Sequence, residues 1–478
     1  MLLCCFHASA QKRDYYWVFG SSVDIDFNTI PPTVDTTRSI LTEEPSASIS
    51  DNVGNLQFYV GCSSLDQSNN GFKKFTVRSY NDSIMLGGDS LIGNGSMTQG
   101  LLIIPRPGFS TEYYIFHINY PGDKLYYSTL DMSLNNGFGE VTSSNILLSD
   151  SMSEKLNAVK AANGKDWWIV AMGHKPQTYF YIYKLDSNAI SFKGLSNTAT
   201  TAFPDGWCGQ MIFSKEGDKL LSAGCHAKTY IYDFDRCTGV ISNPIFIDDG
   251  QLMTGRYGAS FSPNGQYIYL SSADSLWQFD IQATNIPASK QLIFSIPNSN
   301  FRLGQHLLAP DGKIYIVNPY IYPTLTPNDS MNSHLSVINA PNNAGIFCNF
   351  SAYSFSLEDR KSYSGLPNMP NYNLGVLENV NCDSILATNI NNSKQNQHFN
   401  LYPNPAQNYF TVEAVSTSSH LKTIECYTIE GELLIRNNCP FSSSKIIFET
   451  TQLKSGIYFV KIIDDEGASH VKKVVISK

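Results

Sequence analysis

Nine histidines and 41 acidic residues are the raw material for chemistry in this chain. Four histidines, His117, His174, His226 and His306, fall in or beside segments that read as strands. Gathered at one end of a closed ring of sheets, they would form a metal site or an acid–base cluster. Kept apart, each is a structural or surface histidine, and no shared local motif links them. Four aspartates, Asp131, Asp186, Asp235 and Asp280, end strand-like runs in register. A ring of such carboxylates would hold a cation or a sugar. An aspartate closing a strand also caps the next turn by accepting bonds from backbone amides, and identical recurrence in every unit fits that role better. Asp24-Ile25-Asp26 and Asp233-Phe234-Asp235 lack the glycine and distal glutamate of a calcium loop. Trp167-Trp168 and Tyr179-Phe180-Tyr181 suit either stacking on sugar rings or packing a core. No Gly-x-Ser-x-Gly, His-Glu-x-x-His, Walker loop, dinucleotide fingerprint or Cys-x-x-Cys occurs. The sequence therefore assigns no catalytic residue, no cofactor and no metal ligand.

The elements that would position these groups repeat. Phe261-Ser262-Pro263-Asn264-Gly265-Gln266-Tyr267-Ile268-Tyr269-Leu270 has counterparts at 213–221 and 308–316, and weaker ones at 49–58, 104–116 and 160–168. The turn glycines Gly54, Gly108, Gly164, Gly217, Gly265 and Gly312 are 54, 56, 53, 48 and 47 residues apart. In Ser-Pro-Asn-Gly the proline presets φ, asparagine tolerates the next position, and glycine takes the positive φ that reverses the chain. A further strand then closes on aspartate, as in Tyr127–Asp131, Tyr181–Asp186, Tyr230–Asp235 and Leu276–Asp280, with Leu335–Asn339 as a fifth case. A hairpin and an Asp-ended strand every ~50 residues predict four-stranded propeller blades, about seven of them over 15–375. Closing the ring removes free sheet edges.

Composition agrees. Charged residues are 15%, too few for a coiled coil, while 27 Tyr, 27 Phe and 33 Gly suit an all-β chain. A net charge of −8 argues against nucleic acid as a partner. The start, Met1 to Gln11, carries a short apolar stretch and Ala8-Ser9-Ala10, a small-x-small cleavage pattern, so 1–10 is expected to be a signal peptide with its beginning cut short. Removing Cys4 and Cys5 leaves eight cysteines, and export would permit disulfides. Cys208 and Cys225 flank the turn 215–218 almost symmetrically, which suits a bond across a hairpin or two separate buried thiols.

Residues 376–399 are polar and read as a linker. Beyond them, short alternating runs at Tyr409–Val412, Ile424–Tyr427, Leu433–Ile435, Lys445–Phe448, Ile457–Ile462 and Val471–Ile476 predict a small immunoglobulin-like β-sandwich over 400–478. The residues Tyr402-Pro403-Asn404-Pro405, Gly431, Ser455-Gly456-Ile457-Tyr458 and Lys472-Lys473 resemble the C-terminal sorting domain of the Bacteroidetes type IX secretion system. Glu432 departs from the usual polar or basic residue without weakening the match. The resemblance implies passage through the periplasm, recognition by the type IX machinery, removal of this domain, and release or anchoring to surface lipopolysaccharide.

The repeat region resembles the WD40-like or lactonase-like propellers attached to such domains. It does so through Trp17-Val18-Phe19-Gly20, Asp26-Phe27-Asn28, Ala47–Asp51, Asp131–Asn135, Glu154–Lys160 and Gly365-Leu366-Pro367-Asn368. Val60-Gly61-Cys62 departs from the relatives' pattern. Seven Asp-Ser or Asp-Thr sites, at Thr36, Ser83, Ser90, Ser151, Ser275, Ser330 and Ser384, resemble the O-glycosylation acceptor of Bacteroidetes, although Asp-Ser also makes good turns. The expected protein is a secreted or surface propeller that binds a glycan, peptide or partner protein without catalysis. A lactonase-like or glycan-cleaving hydrolase is the alternative.

Overall fold

Alternating runs broken by positive-φ turns should fold into antiparallel hairpins, and in the computed structural model of the chain they do. The structure describes residues 11–62, 74–119, 123–173, 179–196, 208–225, 227–248, 256–272, 274–296, 302–319, 330–377, 382, 399–415, 420–428, 433–465 and 469–478. The chain divides into two compact units, Met1–Ile385 and Leu386–Lys478.

Among the described residues, the first unit contains seven antiparallel sheets, here blades 1 to 7, spanning residues 16–35, 47–92, 101–149, 152–196, 211–248, 258–295 and 306–356. Blade 1 has three strands and the others four, paired in chain order. The six repeat glycines all take positive φ, between 67° and 101°. At Gly265 and Gly312 an added Cβ would meet nothing within 4 Å, so the backbone conformation alone demands glycine there. The Asp-ended strands are the third of their sheets, and their aspartates cap turns. Asp131 Oδ1 accepts from Ser133 N (2.8 Å), Asp186 Oδ1 from Asn188 N (2.8 Å), Asp235 Oδ1 from Cys237 N (2.8 Å) and Asp280 Oδ1 from Gln282 N (2.9 Å).

Neighbouring blades share cores. One cluster joins blades 2, 3 and 4 through Phe75, Ile103 and Ile169. Trp168 and Tyr232 join 4 to 5, Leu221 and Ala259 join 5 to 6, and Tyr269 and Ile314 join 6 to 7. Tyr315 packs with Trp17 and Phe27 to join 7 to 1, and Val18 with Tyr59 joins 1 to 2. The ring is therefore closed, and the fold is a seven-bladed propeller. Its seam is aromatic, with ring centroids 4.6–5.8 Å apart and tilted or edge-on, a geometry worth about 0.5–1.5 kcal/mol per pair beyond area burial.

The axial channel is filled by the chain itself. After blade 7, residues 361–377 run from one mouth to the other along the first strands of the blades. Lys361 O accepts from Ser21 N, Ser364 N donates to Glu43 O and Asn368 N to Ser46 O, each at 2.9 Å. Asn368 Nδ2 reaches both Leu101 O (3.0 Å) and Leu156 O (2.9 Å), and its Oδ1 accepts from Gln99 Nε2 (3.3 Å). Tyr372 packs edge-on to Trp167 and donates to Ile103 O (2.9 Å). At the far mouth Leu377 N donates to Ala162 O (2.8 Å). Gly365 lies so close to the stretch leading into blade 2 that a Cβ would collide with Glu44 O. Two disulfides, Cys208–Cys225 and Cys237–Cys382, lie in this unit.

The second unit is a sandwich of a three-stranded sheet (Phe399–Tyr402, Tyr409–Ala414, Lys445–Glu449) and a four-stranded sheet (Leu433–Ser443, Leu421–Tyr427, Gly456–Asp464, Ser469–Ile476). Phe410, Phe448, Ile424, Val460 and Val474 form its core. Leu433–Ser443 runs well past the expected Ile435. Its continuation through Asn437, Asn438 and Pro440 is polar, and it is held by pairing with Leu421–Tyr427 rather than by its own pattern.

Candidate functional site

Three glutamines at the starts of blades 3, 5 and 7 tie the channel wall together. Gln99 donates to Met211 O (3.1 Å) and accepts from Met211 N (2.7 Å), so blade 3 grips blade 5. Gln210 donates to His306 O (2.9 Å) and accepts from His306 N (2.8 Å), so blade 5 grips blade 7. Gln305 donates to Thr98 O, next to blade 3, and accepts from Leu366 N (3.0 Å) of the channel segment. The carboxamides of Gln99 and Gln305 each satisfy two backbone groups, and that of Gln210 satisfies three, since its Oε1 also accepts from Ala259 N (2.9 Å). The sequence reading missed this triangle. Its signal was a Gln seven residues before Gly217 and before Gly312, and nine before Gly108.

On one side of the triangle lies a layer of ionisable groups. Glu154 is 6% exposed, and its Oε2 accepts from Thr98 N (2.9 Å) and Thr98 Oγ1 (2.7 Å). Burial pushes its pKa up to about 7 against those bonds. Lys155, 1% exposed, donates to Ser222 Oγ (3.0 Å) and Ala223 O (2.5 Å). Burial lowers it to about 7, opposed by the charge of Glu154. Glu44 is half-buried, yet its Oε2 is out of solvent contact; burial and then the charge of Glu154 raise its pKa well above the carboxylate range. The Tyr257 hydroxyl lies beside Glu44, Glu154, Thr98 and Gln305, is raised mainly by burial, and makes no hydrogen bond of ordinary geometry.

On the other side, the channel segment hugs blades 2, 3 and 4 and leaves space against blades 5, 6 and 7. The space is a cavity of about 510 Å³ at the mouth formed by the glycine turns at 214–217, 262–265 and 309–312. Phe213, Pro263, Leu308 and Met369 wall it, and Lys215 and Asn371 stand at its rim. Some of its polar wall groups are engaged within the protein, whereas Asp14 Oδ1 and His306 Nε2 have no hydrogen-bond partner. Ser214 Oγ donates to Asp218 (2.8 Å), Ser262 Oγ to Asn264 (2.6 Å) and Asn371 Nδ2 to Lys215 O (2.9 Å). Asp14, also lining it, is raised by burial to about 6.

Two of the four histidines are described, and they belong to different blades, His117 to blade 3 and His306 to blade 7. His117 is buried, bonded to Ile92 O (2.6 Å) and Ser128 Oγ (3.0 Å), with burial lowering it to about 4. His306 lines the cavity, its Nδ1 bonded to Ser260 Oγ (3.2 Å), with burial lowering it to about 3. His174 and His226 lie outside the described residues. Among the described residues, no group of three or more His, Cys, Asp or Glu is placed to hold a metal ion.

Of the Asp-Ser and Asp-Thr sites, Ser83 and Ser90 are exposed, and Thr36 and Ser151 are half-buried. Ser275 is 8% exposed and bonded to Asp274, which does not suit an acceptor on the folded chain. The side chain of Ser330 and all of Ser384 lie outside the described residues.

In the second unit the two ends of the sorting motif meet. Asn404 Nδ2 donates to Lys473 O (2.8 Å), and its Oδ1 accepts from Val475 N (2.8 Å). Ala406, following the cis peptides at Pro403 and Pro405, bonds Val475 O through its N (2.7 Å). Tyr402 donates to Glu413 and accepts from Lys445 Nζ (3.0 Å). Ser455 Oγ accepts from Lys478 N (3.0 Å), and Tyr458 OH donates to Lys454 O (3.0 Å). Gly456 and Ile457 pair with Ile476 and Val475, and Lys472 pairs with Val460. Gly431 lies outside the described residues.

Residues 400–477 match the family described as the secretion system C-terminal sorting domain. A sorting domain of this kind implies recognition by the type IX machinery and export to the cell surface or the medium. No curated protein matches the chain. Similar solved structures include a protein from Lactobacillus plantarum, at 13% identity, covering 74% of this chain and 98% of that one, with a TM-score of 0.48. The Pseudomonas aeruginosa periplasmic gluconolactonase is 11% identical over 82% and 98% of the two chains, with a TM-score of 0.41. A putative 6-phosphogluconolactonase from Bacteroides uniformis is 10% identical over 85% and 97%, with a TM-score of 0.36. The propeller fold of this chain rests on its own seven sheets.

Proposed function

We propose that the sorting domain delivers a non-catalytic binding propeller to the cell surface or medium, where it takes a glycan or peptide at the turn-side mouth of its channel. One observation supports this reading above others: the channel axis is occupied by residues 361–377, and in the cavity left beside them the Ser214 and Ser262 hydroxyls and the Asn371 amide are already hydrogen-bonded within the protein. A cavity of about 510 Å³ suits one small ligand or the side chains of a peptide. Serine hydroxyls committed to neighbouring side chains suit recognition more than nucleophilic chemistry.

The test is an array of surface glycans and peptides probed with the labelled full chain. Leu308→Trp fills the cavity and is expected to abolish the strongest signals. Glu154→Gln, on the other side of the glutamine triangle, is expected to leave them unchanged. Signals that survive Leu308→Trp place binding elsewhere and refute this reading. The hydrolase reading draws on one observation of its own, the Glu44, Glu154 and Tyr257 layer; turnover of an array glycan or a lactone that is lost in Glu154→Gln would favour it.

A further inference from the structure

The channel segment ends at a fixed point. Five residues after Leu377, Cys382 is bonded to Cys237, with Cα atoms 5.2 Å apart. Cys237 is itself rigidly held in the turn capped by Asp235, whose Oδ1 accepts from Cys237 N (2.8 Å) and whose Oδ2 accepts from Thr238 Oγ1 (2.7 Å). The preceding residue, Arg236, is 3% exposed and grips the same exit. Its guanidinium donates to Lys160 O (2.9 Å), Ala161 O (3.2 Å), Glu216 O (3.3 Å) and Gly375 O (2.5 Å). Blades 4 and 5, the channel segment and the disulfide thus converge on one corner of the turn-side mouth.

The order of these features along the chain matters. The segment leaves the channel along its axis, is bonded covalently to blade 5, and only then continues towards the sorting domain at 400–477. A pull on the C-terminal side, or trimming from a new C-terminus, would otherwise act directly on Leu377, Gly375 and Tyr372 and draw them out one bond at a time. With the disulfide closed, the load passes into the Asp235 turn.

We propose that Cys237–Cys382 is a latch that isolates the channel segment from whatever happens to the chain beyond residue 382, including handling and removal of the sorting domain. The latch keeps residues 361–377 in the channel when the segment's own downstream tether is pulled or cut. It uses the disulfide as it stands and needs no redox step. It does not depend on what the turn-side cavity binds.

The test uses the full chain and a broad-specificity protease. The C-terminus of the resistant propeller fragment is read by mass spectrometry, and amide exchange is measured over 366–377. The wild-type fragment is expected to end at or beyond Cys382. In Cys237→Ser/Cys382→Ser the fragment is expected to be trimmed into 361–377, with exchange there at least tenfold faster. Arg236→Ala with the latch intact is expected to keep the wild-type end point. Should the double variant fail to accumulate, reducing the folded wild-type chain with a phosphine gives the same readout, with Cys208→Ser/Cys225→Ser as control for the other disulfide. The same end point and exchange rates with and without the latch would overturn the proposal. So would trimming into the segment in Arg236→Ala alone, because the arginine rather than the disulfide would then hold the exit.

Discussion

Asn368→Ala is expected to lower the melting temperature of the propeller by about 5 °C. The side chain makes three hydrogen bonds, to Leu101 O at 3.0 Å, Leu156 O at 2.9 Å and Gln99 Nε2 at 3.3 Å, in a residue only 8% exposed. Gln99 keeps its bond to Met211 O, but the two carbonyls, both buried, lose this partner. At about 1–3 kcal/mol for each buried group left unpaired, the cost is about 4 kcal/mol. A unit of about 380 residues has an unfolding entropy of roughly 0.8 kcal/mol per kelvin, which converts that cost to about 5 °C. Asn371→Ala is the matched control. Asn371 stands at the rim, and its one side-chain donor bond, to Lys215 O, is exposed, so a change under about 1 kcal/mol is expected. Calorimetry of the full chain reads both variants. If Asn368→Ala melts within 1 °C of wild type while Asn371→Ala does the same, the segment does not hold the inner strands together and the reasoning fails.

Other perturbations probe separate parts of the account. Glu154 has a folded pKa raised from 4.5 to about 7, so it favours the folded state at low pH, and that contribution, up to about 3 kcal/mol, is lost as pH rises from 4.5 through 7. Lys155 is lowered from 10.5 to about 7, so stability should recover between pH 7 and 10.5. Urea midpoints should therefore dip near pH 7, with Glu154→Gln flattening the acid limb and Lys155→Met the basic limb; a level wild-type profile would contradict this. Gly365→Ala forces a Cβ against Glu44 O and should cost about 3 kcal/mol or more, whereas Gly312→Val meets open space and should cost only the positive-φ penalty of about 1–2 kcal/mol. Equal melting shifts in the two variants would show that close approach is not what fixes Gly365. Asn404→Ala removes both clamps on the last strand and should destabilise the sorting domain by about 1–2 kcal/mol, a shift that thermal unfolding of the smaller transition would report.

The blades were legible because their signals are local. A turn glycine needs positive φ and a turn aspartate needs nearby amides, and both leave marks within a few residues. Asp131, Asp186, Asp235 and Asp280 therefore read correctly as caps. The sorting motif was legible as well, since Tyr402–Pro405 and Lys472-Lys473 are dense and unusual. That the two ends clamp each other through Asn404 was not, because 71 residues separate Asn404 from Val475. All but the last two residues of the channel segment fall within the span read as the propeller, 15–375, with 376 and 377 in the span read as a linker, and Gly365-Leu366-Pro367-Asn368 stands out in the sequence only as a family resemblance. Its role depends on partners such as Leu101 and Leu156, 267 and 212 residues away. Short polar runs without periodicity carry no sign of what they will thread. The Glu44, Glu154 and Tyr257 layer stayed hidden for the same reason: its members come from different parts of the ring, each within an ordinary-looking strand start.

The central claim is that residues 400–478 carry the export address of a propeller that folds as its own unit. The direct measurement is the location and folded state of the chain with and without residues 400–478, expressed in a host with a type IX system and assayed by immunoblot of medium, surface-shaved, periplasmic and cytoplasmic fractions. The full chain is expected outside the outer membrane. The truncated chain is expected in the periplasm, protease-resistant and with the propeller's melting transition intact. Truncated chain outside the cell at the wild-type level would contradict the sorting role, and truncated chain that is unfolded in the periplasm would contradict the independence of the propeller.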